Sequence, residues 1–511
     1  MGWSAKSHTV VKIPYTIRQP NTGGIGFPSG LRRDMLMRRI TPVAVLAATG
    51  LVLGTSVAYA TPGAGPAPAG TSVKPVAATY TPSIADTTTG MTVRQLVLCG
   101  GTMYAVGKFT SIKQVKPAAA TLARNNVFSF SSTTGQVSSF NPDVNGKVNS
   151  IALSPNCSTA YLGGVFTSVG GVTVKNIAAV NTSTGAVVTT FAHNAGGQVN
   201  ALLVSGSHLL AGSYSTVNGS TNRFLSSHSL TTGRDDGYVH LGISGNYVYT
   251  QQDGRASGSN STQVYNFSLS PDQTRLLAMG VFTSVGGQAR RQIFMLDLGT
   301  VTTTVGPWYS AEFNQNCNYN EAFWLQDASW STDGRTVYPV TTGYKPATDN
   351  DPASGVTTGF YTSEPRGGLC DAAAAFSTAT TANTPVPSHL WVNYAGCDSL
   401  YATAADATAV YVGGHQRRLN APNDCDENNL SSGPVAAAGI GGLRPSDGNV
   451  YTTAADPYTG EYQRSRGTGA DDMVLVPGQG LWIGSDNGSS SAFSQSCGGK
   501  AGHAGICLLP Y

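Results

Sequence analysis

Charge is the first thing this chain lacks: Asp, Glu, Lys and Arg make up only 11% of 511 residues, with a formal net charge of +3. So thin and balanced a charge leaves no basic patch for nucleic acid, and that class of partner is excluded. Sustained helical periodicity is absent too, which excludes a helical bundle or solenoid. No H-E-x-x-H, phosphate-binding P-loop, G-x-S-x-G elbow (beyond the leader) or dinucleotide fingerprint appears, so no motif names a reaction. The eight cysteines include no paired C-x-x-C zinc arrangement.

Long apolar runs are equally scarce. The one candidate, Thr41 to Val57, is short for a bilayer span and is broken by Gly50 and Gly54. It follows Arg38-Arg39 and precedes the small residues Ala58 and Ala60, which is the layout of a secretory signal peptide. Residues 35–60 are therefore read as the signal, and 1–34 as an upstream extension from a misplaced start, with Met35 or Met37 as the true beginning. Residues 61–72, rich in Pro, Gly and Ala, form a flexible leader. The remainder, 73–511, reads as one all-β unit, exported and without a membrane span after cleavage. An even number of cysteines in an oxidising compartment implies four disulfides.

What the chain has is repetition. Tyr161 to Gly171 reads YLGGVFTSVGG, and Leu277 to Gly287 reads LAMGVFTSVGG. Taking the glycine before the repeated aromatic as a mark gives Gly107, Gly164, Gly212, Gly280, Gly343, Gly414 and Gly484, seven units roughly 60 residues apart. Val148–Ser154, Ala160–Thr167, Asn176–Asn181 and Ala186–Ala192 read as four strands separated by turns, so each unit is expected to be a four-stranded antiparallel blade of a seven-bladed β-propeller. Phe109, Phe166, Tyr214 and Phe282 are expected to pack between blades. The last unit ends at Tyr511 after three strands, so Val73–Thr81 is expected to pair as its outer strand and close the ring.

The segments VNSIALSPNCSTAYLGGVFTSVGG (148–171) and VYNFSLSPDQTRLLAMGVFTSVGG (264–287) resemble the repeat of secreted bacterial β-propellers of the delta-60 type. The resemblance implies the fold over residues 93–511 and carries no catalytic motif. On a propeller map the cysteines pair with their sequence neighbours: Cys99 with Cys157, Cys317 with Cys370, Cys397 with Cys425, and Cys497 with Cys507. The last three pairs lie on the top face, where the long insertions 345–356, 415–434 and 485–503 also gather.

Binding residues are accordingly sought on the top rim of the fifth to seventh blades. His415 replaces Val165, Val281 and Lys108 of other units, and Arg417 and Arg418 follow it, a set suited to a carboxylate or a sugar hydroxyl. Asn316–Trp330 offers Glu321 and Asp327 beside Tyr319 and Trp324, the carboxylates and aromatics that a glycosidase or lectin pocket requires. Asp349, Asp351, Asp424, Asp426 and Glu427 supply oxygens for calcium but lack the spacing of a calcium loop, so no metal or other cofactor is expected. The expectation is a monomeric secreted binding protein for an extracellular glycan or protein. The alternative is an extracellular carbohydrate-active hydrolase or lyase using Glu321 and Asp327.

Overall fold

The computed structural model describes Val73, 76–88, 90–246, 248–250, 256–259, 261–318, 321–343, 369–380, 388–396, 398–421, 435–451, 469–486, Cys497 and 502–511; for 248–250, 256–259, 316–318 and 321–322 it describes the backbone alone. All belong to the second of the chain's two units, Val57–Tyr511. The expected extension, signal and leader (1–72) lie outside them.

Among the described residues the fold is all-β, with one short 3-10 turn at Ala311–Asn314. Seven sheets share one plan, a β-propeller arrangement. Their first strands are Thr92–Cys99, Val148–Leu153, Val199–Ser205, Gln263–Leu269, Trp324–Trp330, Leu400–Ala405 and Ala470–Val476, each paired antiparallel with the strand that follows. Third strands complete each sheet. Apolar side chains between sheets form seven clusters, each shared by two neighbours in chain order except one, which joins Val474, Val476, Trp482 and Leu508 of the seventh sheet to Leu96, Met103 and Phe128 of the first.

The FTSVGG motif has a local explanation. Phe166 and Phe282 drop into the core, and Ser168–Val169 then pairs with Val172–Thr173 across Gly170 and Gly171. Both glycines sit at positive φ (53° and 78°), as a two-residue hairpin turn requires. Ser284–Val285 and Gln288–Ala289 repeat the device across Gly286 and Gly287.

Several expectations need correction. Only the fourth and fifth sheets have four strands; in the first, second, third and sixth the outer segment makes a single bridge, as at Val180↔Val187 where a strand over Ala186–Ala192 was expected. Beyond its turn that segment leaves its neighbour early, Val188 N–H bonding to Ala179 O and Phe191 N–H turning back to Val188 O. In the fifth sheet Leu325 faces Thr341, so Gly343 is not the repeat position. In the third sheet Val199 faces Ser213, which moves Tyr214 one place out of the Phe166 position; it is 38% exposed rather than core.

The described part of the segment expected to close the ring, Val73 and 76–81, is not a strand. It nonetheless lies along the seventh sheet, with Ala78 N–H donating to Leu508 O at 2.9 Å and Ile84 N–H to Ala504 O at 2.8 Å. Its sequence Tyr80-Thr-Pro-Ser-Ile84 parallels Phe140-Asn-Pro-Asp-Val144, which leads from the first sheet into the second. Ile84 pairs with Ile112 as Val144 bridges to Val169. Tyr80 Oη donates to Ser132 O at 3.0 Å, as Trp391 Nε1 does to Pro445 O at 2.9 Å. The described residues from 76 to 84 thus lie beside the outer edge of the seventh sheet, held by packing and a few main-chain bonds, without a ladder.

Candidate functional site

The seven first strands carry one irregularity in common. Each has a β-bulge one residue after its first core residue, at Arg94, Asn149, Asn200, Tyr265, Gln326, Tyr401 and Asp471. A bulge re-aims a side chain and twists its strand. All seven re-aimed side chains line a single cavity of about 310 Å³, at the small end of the range for ligand pockets. Of the groups lining it, Arg94 and Tyr214 are exposed, so it meets solvent on their side.

The bulges explain the repeat glycine. An added Cβ on Gly107, Gly164, Gly280 or Gly414 would stand 2.0, 2.2, 2.1 or 2.3 Å from the carbonyl oxygen of Thr92, Lys147, Gln263 or Ser399, which the bulge pushes toward the second strand.

The bulge also leaves main-chain N–H groups that need acceptors. After four of the seven bulges the next residue supplies them across the gap between sheets. Gln95 Oε1 accepts from Ile151 N–H (2.7 Å), Ser150 Oγ from Leu202 N–H (2.9 Å), Asp327 Oδ2 from Thr403 N–H (2.9 Å) and Asp472 Oδ2 from Leu96 N–H (2.6 Å). The offset is the same each time, so equivalent residues sit at one level around the cavity. Where this residue is Ala201, the next sheet serves itself: Phe267 N–H bonds to Asn266 Oδ1 at 2.8 Å. The bulge side chains form a second tier: Asn149 Nδ2 donates to Val199 O (3.1 Å), Asn200 Nδ2 to Val264 O (3.2 Å), and the Tyr265 hydroxyl to Leu325 O.

Four charged groups in the cavity are shifted. Asp327 and Asp472 line it, and burial pushes each carboxyl up to about 7 against the N–H bonds they accept; for Asp472 the charge of Asp327 adds to the rise. Asp471, bonded to Arg94 Nη1 at 2.9 Å, is also raised by burial despite that partner. Lys147 is lowered by burial and then by the positive charges of Arg94 and Lys108, with Asp471 opposing.

Of the expected site residues that are described, only Asp327 is among those lining this cavity. The side chains of Glu321 and Tyr319 lie outside the described residues. Trp324 is half-buried against Val281. His415 Nε2 meets Asp486 Oδ2 at 3.0 Å, and its ring stands edge-on to the cavity residue Tyr401 at 4.9 Å. Burial would lower this imidazole, but the hydrogen bond and charge of Asp486, with Asp471 and Asp398 behind, hold it above its ordinary range. Arg417 is held by Asp398 through Nε at 2.7 Å and Nη2 at 3.3 Å. Arg418 begins the short strand Arg418–Leu419 and is half-buried. Asp349, Asp351, Asp424, Asp426 and Glu427 lie outside the described residues, and no acidic or histidine cluster among those described is arranged for a metal.

Disulfides join Cys99 to Cys157 and Cys497 to Cys507. The first links the strand-one-to-strand-two turns of neighbouring sheets. Cys370 is also disulfide-bonded; the side chain of Cys317, and Cys397 and Cys425 entirely, fall outside the described residues. No described helix is long and apolar enough to cross a membrane.

No family model matches the chain, and no curated protein matches it. Among solved structures it is similar to the WD40 repeats of RRP9, at 10% identity over 85% of this chain and 98% of that one, with a TM-score of 0.39. It is similar to BamB from Moraxella catarrhalis at 11% identity, over 85% and 97% of the two chains, with a TM-score of 0.35. It is also similar to hydrazine synthase from Kuenenia stuttgartiensis at 13% identity, over 63% and 72%, with a TM-score of 0.33.

Proposed function

We propose that the seven sheets are the blades of a seven-bladed propeller, closed by the seventh sheet packing on the first, and that this is a secreted protein that binds an oligosaccharide in the axial cavity. One observation carries the reading: seven bulges direct seven side chains, three of them amides and two tyrosines, into one cavity. Amides offer a donor and an acceptor side by side, which suits neighbouring sugar hydroxyls, and a tyrosine adds a ring face and a hydroxyl. Most of these groups are already fixed by bonds to neighbouring sheets, so little side-chain entropy is lost on binding. Export agrees with the signal-like segment and with disulfides, which persist in oxidising compartments.

The test is a glycan array followed by calorimetry on the best ligand. Asn200→Ala and Tyr401→Phe should each weaken binding about tenfold, the worth of one or two hydrogen bonds; Tyr401→Phe should keep an unfolding midpoint close to wild type, and Asn200→Ala, which also loses bonds to the fourth sheet, is compared at a temperature where it is folded. Unchanged affinity in both would contradict the axial site.

A hydrolytic reading has one observation in its favour, the two carboxyls near 7 at Asp327 and Asp472. Both are committed to bonds from neighbouring main chain, which suits bracing better than proton transfer. Release of reducing ends from the array ligand, abolished by Asp472→Asn, would establish catalysis.

A further inference from the structure

Among the described residues, one cation of the cavity makes no ion pair, and Asp471 acts on it only at longer range. Lys147 immediately precedes the core residue Val148, on the same level as Gln198 and Gln263 in the next two sheets, and all three line the cavity. It is half-buried, and no hydrogen bond or ion pair to its ammonium exists among the described residues. Arg94 and Lys108 are near enough to depress its pKa, while the nearest carboxylate, Asp471, is already engaged by Arg94 and Thr92. A half-buried ammonium beside two more cations is costly unless something anionic meets it. The amides lie next to it on one side: Gln198 and Asn200 from the third sheet, Gln263 from the fourth.

Resting on the axial-site reading above, we propose that the ligand is an acidic oligosaccharide, whose carboxylate meets the Lys147 ammonium while its hydroxyls meet Gln198, Asn200 and Gln263. The arrangement places one anion-binding group at the edge of a neutral amide wall. That is the pattern of a uronic acid residue, one carboxylate on a ring of hydroxyls. Neutral sugars would leave Lys147 without an ion pair, and a polyanion such as a sulfated chain would bring further negative charge into a cavity that Asp327, Asp471 and Asp472 line.

The probes are an otherwise neutral oligosaccharide carrying a single uronic acid, glucuronosyl-xylotriose, and its methyl ester, titrated calorimetrically into the intact protein at two salt concentrations. The acid form should bind at least roughly tenfold tighter than the ester, with the difference shrinking as salt rises. Lys147→Gln should erase the difference while the ester still binds, and Lys147→Arg should keep most of it. Because Lys147 has no internal partner to lose, Lys147→Gln should fold with an unfolding midpoint like wild type; Lys147→Met, which keeps the stem, serves if it does not. Equal binding of acid and ester by wild type, or an unchanged preference in Lys147→Gln, would overturn the carboxylate assignment and leave the axial site standing. Binding of neither probe, with neutral glycans bound on the array, would overturn the assignment alone. Binding of no glycan of any kind would overturn both.

Discussion

At Gly164 a methyl group would sit 2.2 Å from the carbonyl oxygen of Lys147, a main-chain atom that cannot move without undoing the bulge. Gly164→Ala should therefore cost about 2 kcal/mol or more, as overpacking does. Gly242 has open space around its Cβ position, and Gly242→Ala should stay within about 0.5 kcal/mol. Urea midpoints of the two variants check the contrast. The titrating residues give a second expectation. Asp327 and Asp472 have folded-state values raised to about 7, so the folded state holds their protons more tightly and stability falls as pH rises from about 4 toward 7. His415 is also raised, and its contribution, complete below about 6.5, is lost as pH climbs through its folded-state value. Asp86, Asp236 and Asp272 are lowered: burial works against this, but hydrogen bonds from neighbouring hydroxyls and main chain outweigh it. Their contributions vanish as pH falls below about 4. Burial lowers His228 and His503, whose contributions are lost as pH falls below about 6.5, so the decline of the thermal unfolding midpoint with rising pH is read above that value, where Asp472→Asn should flatten it. A midpoint that rises steadily from about pH 6.5 to 8 would contradict these assignments.

Among the elements, the N-terminal segment is the one whose removal tells most. Tyr80 packs against the turn at Gly135, where an added Cβ would stand 1.9 Å from its carbonyl, much as Phe191 covers Gly233 and Trp391 covers Gly448. Tyr80→Ala should cost about 2 kcal/mol for a half-buried ring and its hydrogen bond, and a chain lacking residues 61–84 should unfold earlier and aggregate, read by light scattering during a thermal ramp. Why some elements were legible in the sequence and others were not follows from what each depends on. The buried phenylalanine of FTSVGG was legible from its recurrence, whereas the small hairpin across Gly170 and Gly171 was not read, because those glycines were taken only as part of the repeat. The outer strands were overestimated because the segment after Asn181 leaves its neighbour early: Val188 N–H bonds to Ala179 O, and Phe191 N–H then turns back to Val188 O. The bulges were hidden, since Val148-Asn149-Ser150 reads as plain alternation until the facing strand is known; the conspicuous glycine at 164 was their only trace. Asp327 was recognised as a candidate, whereas Asp472, which the charge of Asp327 reaches, was not singled out. Lys147 stood one residue before the recognised repeat and was passed over for that reason.

On the scale of the whole molecule, the contacts between sheets and the candidate site share the same strands. The bond from Leu96 N–H to Asp472 repeats, between the seventh sheet and the first, what Ile151 N–H to Gln95 does between the first and second. The same first strands that hold the sheets to one another present the cavity lining, so loosening these contacts should degrade binding. The Cys99–Cys157 bond, 58 residues apart, ties the first two sheets together at the opposite ends of their first strands. Replacing both cysteines with serine should lower stability by about 2 to 4 kcal/mol while leaving ligand affinity nearly unchanged at a temperature where the variant is folded. Calorimetric unfolding and titration on one sample measure both quantities. The most direct measurement of the central claim is a crystal structure of the protein with the oligosaccharide selected on the array. The account predicts sugar density in the axial cavity, in contact with bulge residues of the second to fourth sheets. Density confined to the outer loops or to the rim around His415, with the cavity holding only water, would contradict it.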